Sequence, residues 1–302
     1  MRVGYVPVHN VPSRVVTCGG WLDEAFAQRG QNKEMVFIIP GNPGLTGYYE
    51  EFVQYLYDQV NMPTWILCHA GHEIEPSSKV PSVKDFPHLY DLPGQIAHKV
   101  EFINKYIPTD VKIHLIGHSV GCYIILNMLK NKLIDHEICM SYMLFPAVER
   151  IGISPNGKVF NFFEKYFLWL ILFASAFFSI LPKVIGKALV SAYFLLEGTL
   201  LKNVRTTMHL INPVILRHIF FLAADEMKNI TDLDSDTIMA HKSKLLFYYG
   251  KKDGWCPLQY YHDMKQRLPE INAVTSTTDM RHAFVLNSSK EMASHLGKWI
   301  TT

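Results

Sequence analysis

At 302 residues the chain is long enough to bury a substantial core, in one large α/β domain or two small ones. A formal net charge of +2, with basic residues scattered singly, excludes the electrostatic footprint of a nucleic-acid binder. None of the 14 histidines and five cysteines forms a group with zinc-ligand spacing. The cysteines (Cys18, Cys68, Cys122, Cys139, Cys256) are odd in number and far apart, several of them in apolar surroundings, a pattern of free thiols in a reducing compartment. The first sixteen residues hold no apolar core of a secretory signal, so the protein is expected to face the cytosol.

In chain order, Met35–Pro40 (MVFIIP), Thr64–His69 (TWILCH), Lys112–Gly117 (KIHLIG) and Met140–Phe145 (MSYMLF) read as buried strands. Tyr48–Val60, Gln95–Tyr106 and Ser119–Lys130 place apolar residues at helical spacing between them. After a break the alternation resumes with strands at Lys244–Gly250 (KLLFYYG) and Ile271–Thr277 (INAVTST), and helices near Gln259–Leu268 and Glu291–Ile300. This order predicts an α/β fold over residues 1–302, with a mostly parallel sheet and helices on both faces.

The break, at about residues 150–240, reads as a helical insertion. It opens on a turn signal, Ser154–Lys158 (SPNGK), followed by sixteen uncharged residues, Tyr166–Leu181, bracketed by Lys165 and Lys183. A second apolar stretch runs from Ala188 to Leu201. Sixteen residues make a helix of about 24 Å, short of a hydrocarbon core of about 30 Å, and Pro182 then interrupts the run, so a full span is the weakest reading. Two others stand: a buried cap over an apolar pocket, or helices embedded in one leaflet or lying on a lipid surface.

Gly117-His118-Ser119-Val120-Gly121 sits where a predicted strand turns into a predicted helix. A G-x-S-x-G turn there needs small flanking residues to relieve strain, and it presents the hydroxyl at the end of the sheet. The helix beginning after Ser119 aims its N-terminal dipole at any oxyanion formed there. In this architecture an acid and then a base follow the serine in chain order. Asp253 stands just beyond the strand KLLFYYG, and His282 just beyond INAVTST, so both fall on the edge where Ser119 emerges. His282 is the expected base and Asp253 its expected orienting acid. Asp263 and Asp279 compete by nearness in sequence; Asp225, Asp232, Asp234 and Asp236 read as solvated charges. His69 and His72 (CHAGHE) approach the site or form a hydrogen-bonded loop pair. The oxyanion donors are expected from the N–H groups of Val120 and Asn42, the latter in a loop (PGNPG) whose glycines permit close approach. Tyr48 and Tyr49 either wall the pocket or belong to the helix core. No cofactor is called for.

The strings IIPGNPG, HAGH, GQIAHKVEF, LIGHSVG, SPNG, FYYGKKDGWCP and HAF, in that order, resemble the lipid droplet-associated hydrolase family within the α/β-hydrolases. The resemblance runs from about Gly41 to about Phe284, and matches the insertion only in general character. It implies an α/β-hydrolase fold and a Ser119–Asp253–His282 triad acting on sterol esters or other neutral lipid esters. It also implies a cytosol-facing location on lipid droplets and the endoplasmic reticulum, anchored through the apolar mid-chain segments. Gly254, beside Asp253, is expected to loosen the acid's loop. Acyl transfer to an alcohol stays open beside hydrolysis. A droplet-targeting or tethering protein with little turnover is the alternative from another class, and a soluble small-ester hydrolase is disfavoured by the insertion.

Overall fold

In the computed structural model, which describes residues 1–22, 24–26, 33–75, 78–198 and 200–301, the apolar runs pair into one eight-stranded sheet. In chain order the elements are β1 (Arg2–Val8), β2 (Val11–Cys18), β3 (Glu34–Ile39), α1 (Glu50–Val60), β4 (Thr64–Leu67), α2 (Leu92–Tyr106), β5 (Lys112–His118), α3 (Val120–Lys130) and β6 (Ile138–Leu144). There follow α4 (Pro155–Ile180), α5 (Lys183–Glu197), α6 (Val204–Leu210), α7 (Pro213–Asn229) and α8 (Ser235–Ala240), then β7 (Leu245–Tyr249), α9 (Leu258–Arg267), β8 (Asn272–Thr275) and α10 (Ser289–Thr301). The strand order is β1-β2-β4-β3-β5-β6-β7-β8, parallel from β4 to β8 and antiparallel on either side of β2. This is the mostly parallel sheet expected above, with helices on both faces.

The continuous apolar strands follow from burial on both faces. Met35, Phe37 and Ile39 of β3 pack with Phe102 and Ile103 of α2 and the apolar side of α3. Val36 and Ile38, pointing the other way, pack with Phe52, Val53 and Leu56 of α1 and Leu296 of α10. Period-two alternation thus feeds two cores from one strand.

Three features differ from the sequence expectation. An unforeseen N-terminal hairpin, β1–β2, turns on His9 and Asn10, both at positive φ, 47° and 60°. Prolines masked it: Pro7 and Pro12 face each other beside the turn, beyond the stretch of β2 that pairs with β4. Second, Ser154–Lys158 is a helix start rather than a turn. Ser154 Oγ accepts from Gly157 N at 3.0 Å, and Pro155 takes the first helical position, where its missing N–H costs nothing. Third, that start lengthens the apolar helix. α4 has 26 residues, about 39 Å at the usual rise, so by length and composition alone it is able to cross a membrane. It is not a buried cap: only Gly157 and Ser175 in it are buried, and Phe162, Tyr166, Trp169, Phe173 and Phe177 are exposed. Of the second apolar stretch, Thr199 lies outside the described residues.

Candidate active site

Ser119 sits between β5 and α3 at φ 54° and ψ −120°, a strained conformation for a residue with a side chain. The glycines are dictated by contact. A methyl group at Gly117 would stand 2.8 Å from Cys122 N, and one at Gly121 would run into the carbonyl of Ile39. His282, in the loop after β8, places Nε2 at 3.0 Å from Ser119 Oγ and Nδ1 at 2.7 Å from Asp253 Oδ2. The structure therefore brings the three together in one hydrogen-bonded run.

Asp253 is tightly held, contrary to the looseness expected from Gly254. Its Oδ1 accepts from Trp255 N at 2.7 Å and Cys256 N at 3.0 Å. Gly254 serves close approach: a methyl group there would strike the Asn156 side chain, and its carbonyl accepts from Asn156 N at 2.9 Å. Burial alone would raise the pKa of Asp253. Attraction to His282 and these hydrogen bonds outweigh it and hold the carboxyl below its ordinary value. The competing aspartates are engaged elsewhere. Asp263 pairs with Arg150 at 2.6 Å, Asp279 with Lys252 at 2.7 Å, and Asp225 accepts from Leu92 N at the start of α2.

Asn42 lies in the loop after β3, which passes so close that a methyl group on Gly41 would stand 2.9 Å from Ser119 Cβ. Gly41 N donates to Tyr49 Oη at 3.0 Å, and Pro43 has no N–H. The N–H groups of Asn42 and Val120 have no acceptor among the described residues. His69 and His72 do not reach Ser119; they hold the loop's carbonyls. His69 Nε2 donates to Pro40 O (3.1 Å) and His72 Nδ1 to Pro43 O (2.6 Å). Burial keeps both imidazoles neutral, pushing His72 down to about 3, and a carbonyl only accepts, so each tautomer is fixed. The uncommon string GQIAHK has its reason one layer back. On α2, Gln95 brackets Ala70 with both ends of its amide, and Lys99 Nζ donates to Cys68 O at 2.8 Å, pinning the loop that carries the two histidines.

Three roles here escaped the sequence reading. Tyr49 does not wall the pocket and Tyr48 bonds Thr207 of α6 at 2.8 Å. Instead Tyr49 Oη lies 2.6 Å from His118 Nδ1, and His118 Nε2 lies 2.9 Å from His282 O. Burial, reinforced by His282, lowers His118 to about 3, so it is neutral with one N–H. That N–H must sit on Nε2, because His282 O only accepts; Tyr49 then donates to Nδ1 while accepting from Gly41. One relay ties the Asn42 loop, the serine turn and the His282 loop. The third is Glu226 of α7, deep in a cavity of about 300 Å³ shared with Ser119, Asn42 and His282 and otherwise largely apolar. Glu226 adjoins Asp225, which the sequence reads as a solvated charge, and no spacing flags it. The donor cluster Glu34, His114 and Cys139, within 4.8 Å of one another, lies near the other ends of the strands and takes no part.

The buried neutral imidazoles set a pH dependence of stability. His72 and His118 have folded-state pKa values near 3 against an ordinary 6.5, so between those limits the unfolded chain binds more protons, and acid favours unfolding. Each contributes about 1.4 kcal/mol per pH unit in that window, so the two together remove roughly 3 kcal/mol per unit as pH falls below about 6. Stability from this source is fully present above 6.5. Urea midpoints measured from pH 7 to 4.5 should fall, less steeply than from the two imidazoles alone because the buried carboxyl of Glu226, raised to about 8, opposes the change over the same window; midpoints that rise toward acid would contradict the buried, neutral state of both.

Comparison with known proteins places this geometry. Residues 32–285 match the family described as lipid-droplet associated hydrolase. The lipid droplet-associated hydrolase of Drosophila melanogaster is 39% identical over 299 residues, covering 97% of this chain and 96% of that one. That of Rattus norvegicus is 37% identical over 314 residues, covering 98% and 95%. An esterase from Exiguobacterium antarcticum superposes with a TM-score of 0.60 over 99% of each chain at 15% identity, a likeness of fold. With a serine turn, an eight-stranded sheet and relatives matched nearly end to end, the chain belongs to the lipid-droplet associated hydrolase family.

Proposed function

We propose that the chain is a serine carboxylic ester hydrolase that cleaves neutral lipid esters, sterol esters among them, at the cytosolic face of lipid droplets and the endoplasmic reticulum. The observation that carries this reading is the run Asp253–His282–Ser119, with separations of 2.7 and 3.0 Å. His282 Nε2 removes the Ser119 proton as Oγ bonds to the ester carbonyl carbon. The oxyanion accepts from the N–H groups of Asn42 and Val120. Collapse breaks the bond to the alcohol, which leaves with the proton from His282. Water then attacks the acyl-enzyme with His282 again as base, releasing the acid and restoring Ser119. Every proton moves among Ser119, His282, substrate and water, so the cycle calls on no cofactor. An alcohol in place of that water gives acyl transfer. The helical insertion at about 150–240 belongs to this single catalytic unit, since α4 and α7 supply pocket walls through Phe160 and Phe220.

The test is labelling of purified wild-type protein and Ser119→Ala with a fluorophosphonate probe, on lipid emulsion and in detergent. Labelling of the wild type alone is expected. A second reading, droplet targeting or tethering with little turnover, draws on the exposed apolar surface of α4 and α5. Absence of labelling in both conditions would favour it over catalysis.

A further inference from the structure

The side chain of Asn42 is anchored on α7. Its Nδ2 donates to Ile219 O at 3.1 Å and to Glu226 Oε1 at 2.9 Å, acceptors two helical turns apart on one face. The rest of this loop is fixed by other means: His69 holds Pro40 O, His72 holds Pro43 O, and Tyr49 takes the Gly41 N–H. The peptide between them, whose N–H has no acceptor among the described residues, is held through the Asn42 side chain. We propose that Glu226 is a positioning residue for the reaction, fixing the Asn42 N–H toward the oxyanion through the Asn42 amide. This rests on the ester-hydrolase reading above.

The chemistry of the pocket explains why an acid stands there. An amide NH2 in an apolar cavity needs two acceptors, and a backbone carbonyl of α7 supplies one. Glu226 is 4% exposed. Burial pushes its pKa up to about 8, against the Asn42 hydrogen bond, and the nearby Asp225 charge adds to the rise. A neutral carboxyl is cheaper to bury than a carboxylate, and its carbonyl oxygen still accepts from Asn42. Leucine would fill the space and leave the amide with half its anchor.

Because the oxyanion forms only on the way to the tetrahedral intermediate, a displaced Asn42 N–H lowers kcat and spares KM. Glu226→Leu should lower kcat for a long-chain p-nitrophenyl ester about tenfold to a hundredfold, below the loss for removing a donor outright, with KM within about twofold. Glu226→Gln, whose amide oxygen replaces the acceptor, should return kcat to within about threefold of wild type. In an Asn42→Ala background Glu226→Leu should add nothing, since the two act as one unit. A rise in KM with kcat intact, a Gln variant as impaired as Leu, or additive losses in the double variant would each overturn the proposal. Fluorophosphonate labelling keeps the layers apart: a Leu variant labelled as fast as wild type sinks the role of Glu226, while a wild type that never labels sinks the hydrolase reading itself.

Discussion

Asp253→Asn is expected to lower kcat/KM by about four orders of magnitude while the fold survives. The size of the effect follows from which atom the amide must present to His282. In the native site Oδ1 accepts from the N–H groups of Trp255 and Cys256, and Oδ2 accepts from His282. An asparagine has one acceptor oxygen and one NH2. The two backbone donors claim the oxygen, so the NH2 is turned toward His282 Nδ1. A ring nitrogen facing a donor must itself accept, which moves the imidazole proton to Nε2. That proton then points at Ser119 Oγ, and the ring has no lone pair left to deprotonate it. Rotating the asparagine by half a turn would put NH2 against two N–H groups, so no alternative rotamer rescues the base. Stability changes little, because shape and the backbone hydrogen bonds are kept. The check is a pre-steady-state rate for acylation by an activated ester, together with a thermal midpoint. Acylation within tenfold of wild type would mean that Asp253 does not set the tautomer of His282.

The route to that hydrogen-bonded run was open in the sequence because each member is defined by chain order as well as by type. Ser119 stands between an apolar run and an amphipathic one, and Asp253 and His282 each stand one loop beyond such a run. Parallel strands deliver loops of this kind to one edge. What the sequence hides is the layer that acts through space alone. His118 looks like a filler inside the serine turn, and Tyr49 like a helix residue. Their partnership with Gly41 and His282 joins positions far apart in the chain, and no periodicity announces it. Glu226 is hidden for a related reason, since nothing in the sequence sets it apart from its charged neighbours Asp225 and Lys228. Pro7 and Pro12 conceal the first hairpin by departing from strand composition. At α4 the error lay in the boundary. Counting only uncharged residues missed the Ser154–Pro155 start, and a helix judged too short proved long enough.

Length alone does not decide what α4 does; its attachments do. Phe160 stacks on Phe220 of α7 at 5.5 Å, Ser175 Oγ donates to Ile211 O, and Phe178 lies against Gly186 of α5. The helix is thus held at Phe160 to α7, at Ser175 to the turn before α7, and near its end to α5. The opposite side is free: Trp169, Phe173 and Phe177, four residues apart, are 69%, 67% and 62% exposed. Exposed lysines stand at positions 158 and 165 along α4 and at 183 and 187 along α5, a charge that suits anionic headgroups. An in-plane seat on a lipid surface follows from the proposed location, with the cavity wall at Phe160 and Phe220 beside it. Replacing Trp169, Phe173 and Phe177 together by Ser is expected to weaken partitioning onto a triacylglycerol emulsion by roughly 3 to 6 kcal/mol, a hundredfold or more, at about 1 to 2 kcal/mol per ring. The same variant should keep its thermal midpoint in detergent-free buffer, since these rings lend nothing to the core, and should keep its Ser119 labelling rate on a short, soluble ester analogue. Flotation with the emulsion separates bound from free protein directly. Unchanged flotation would place the lipid contact elsewhere, whereas lost flotation together with lost soluble-ester activity would show that the rings support the fold instead of the surface.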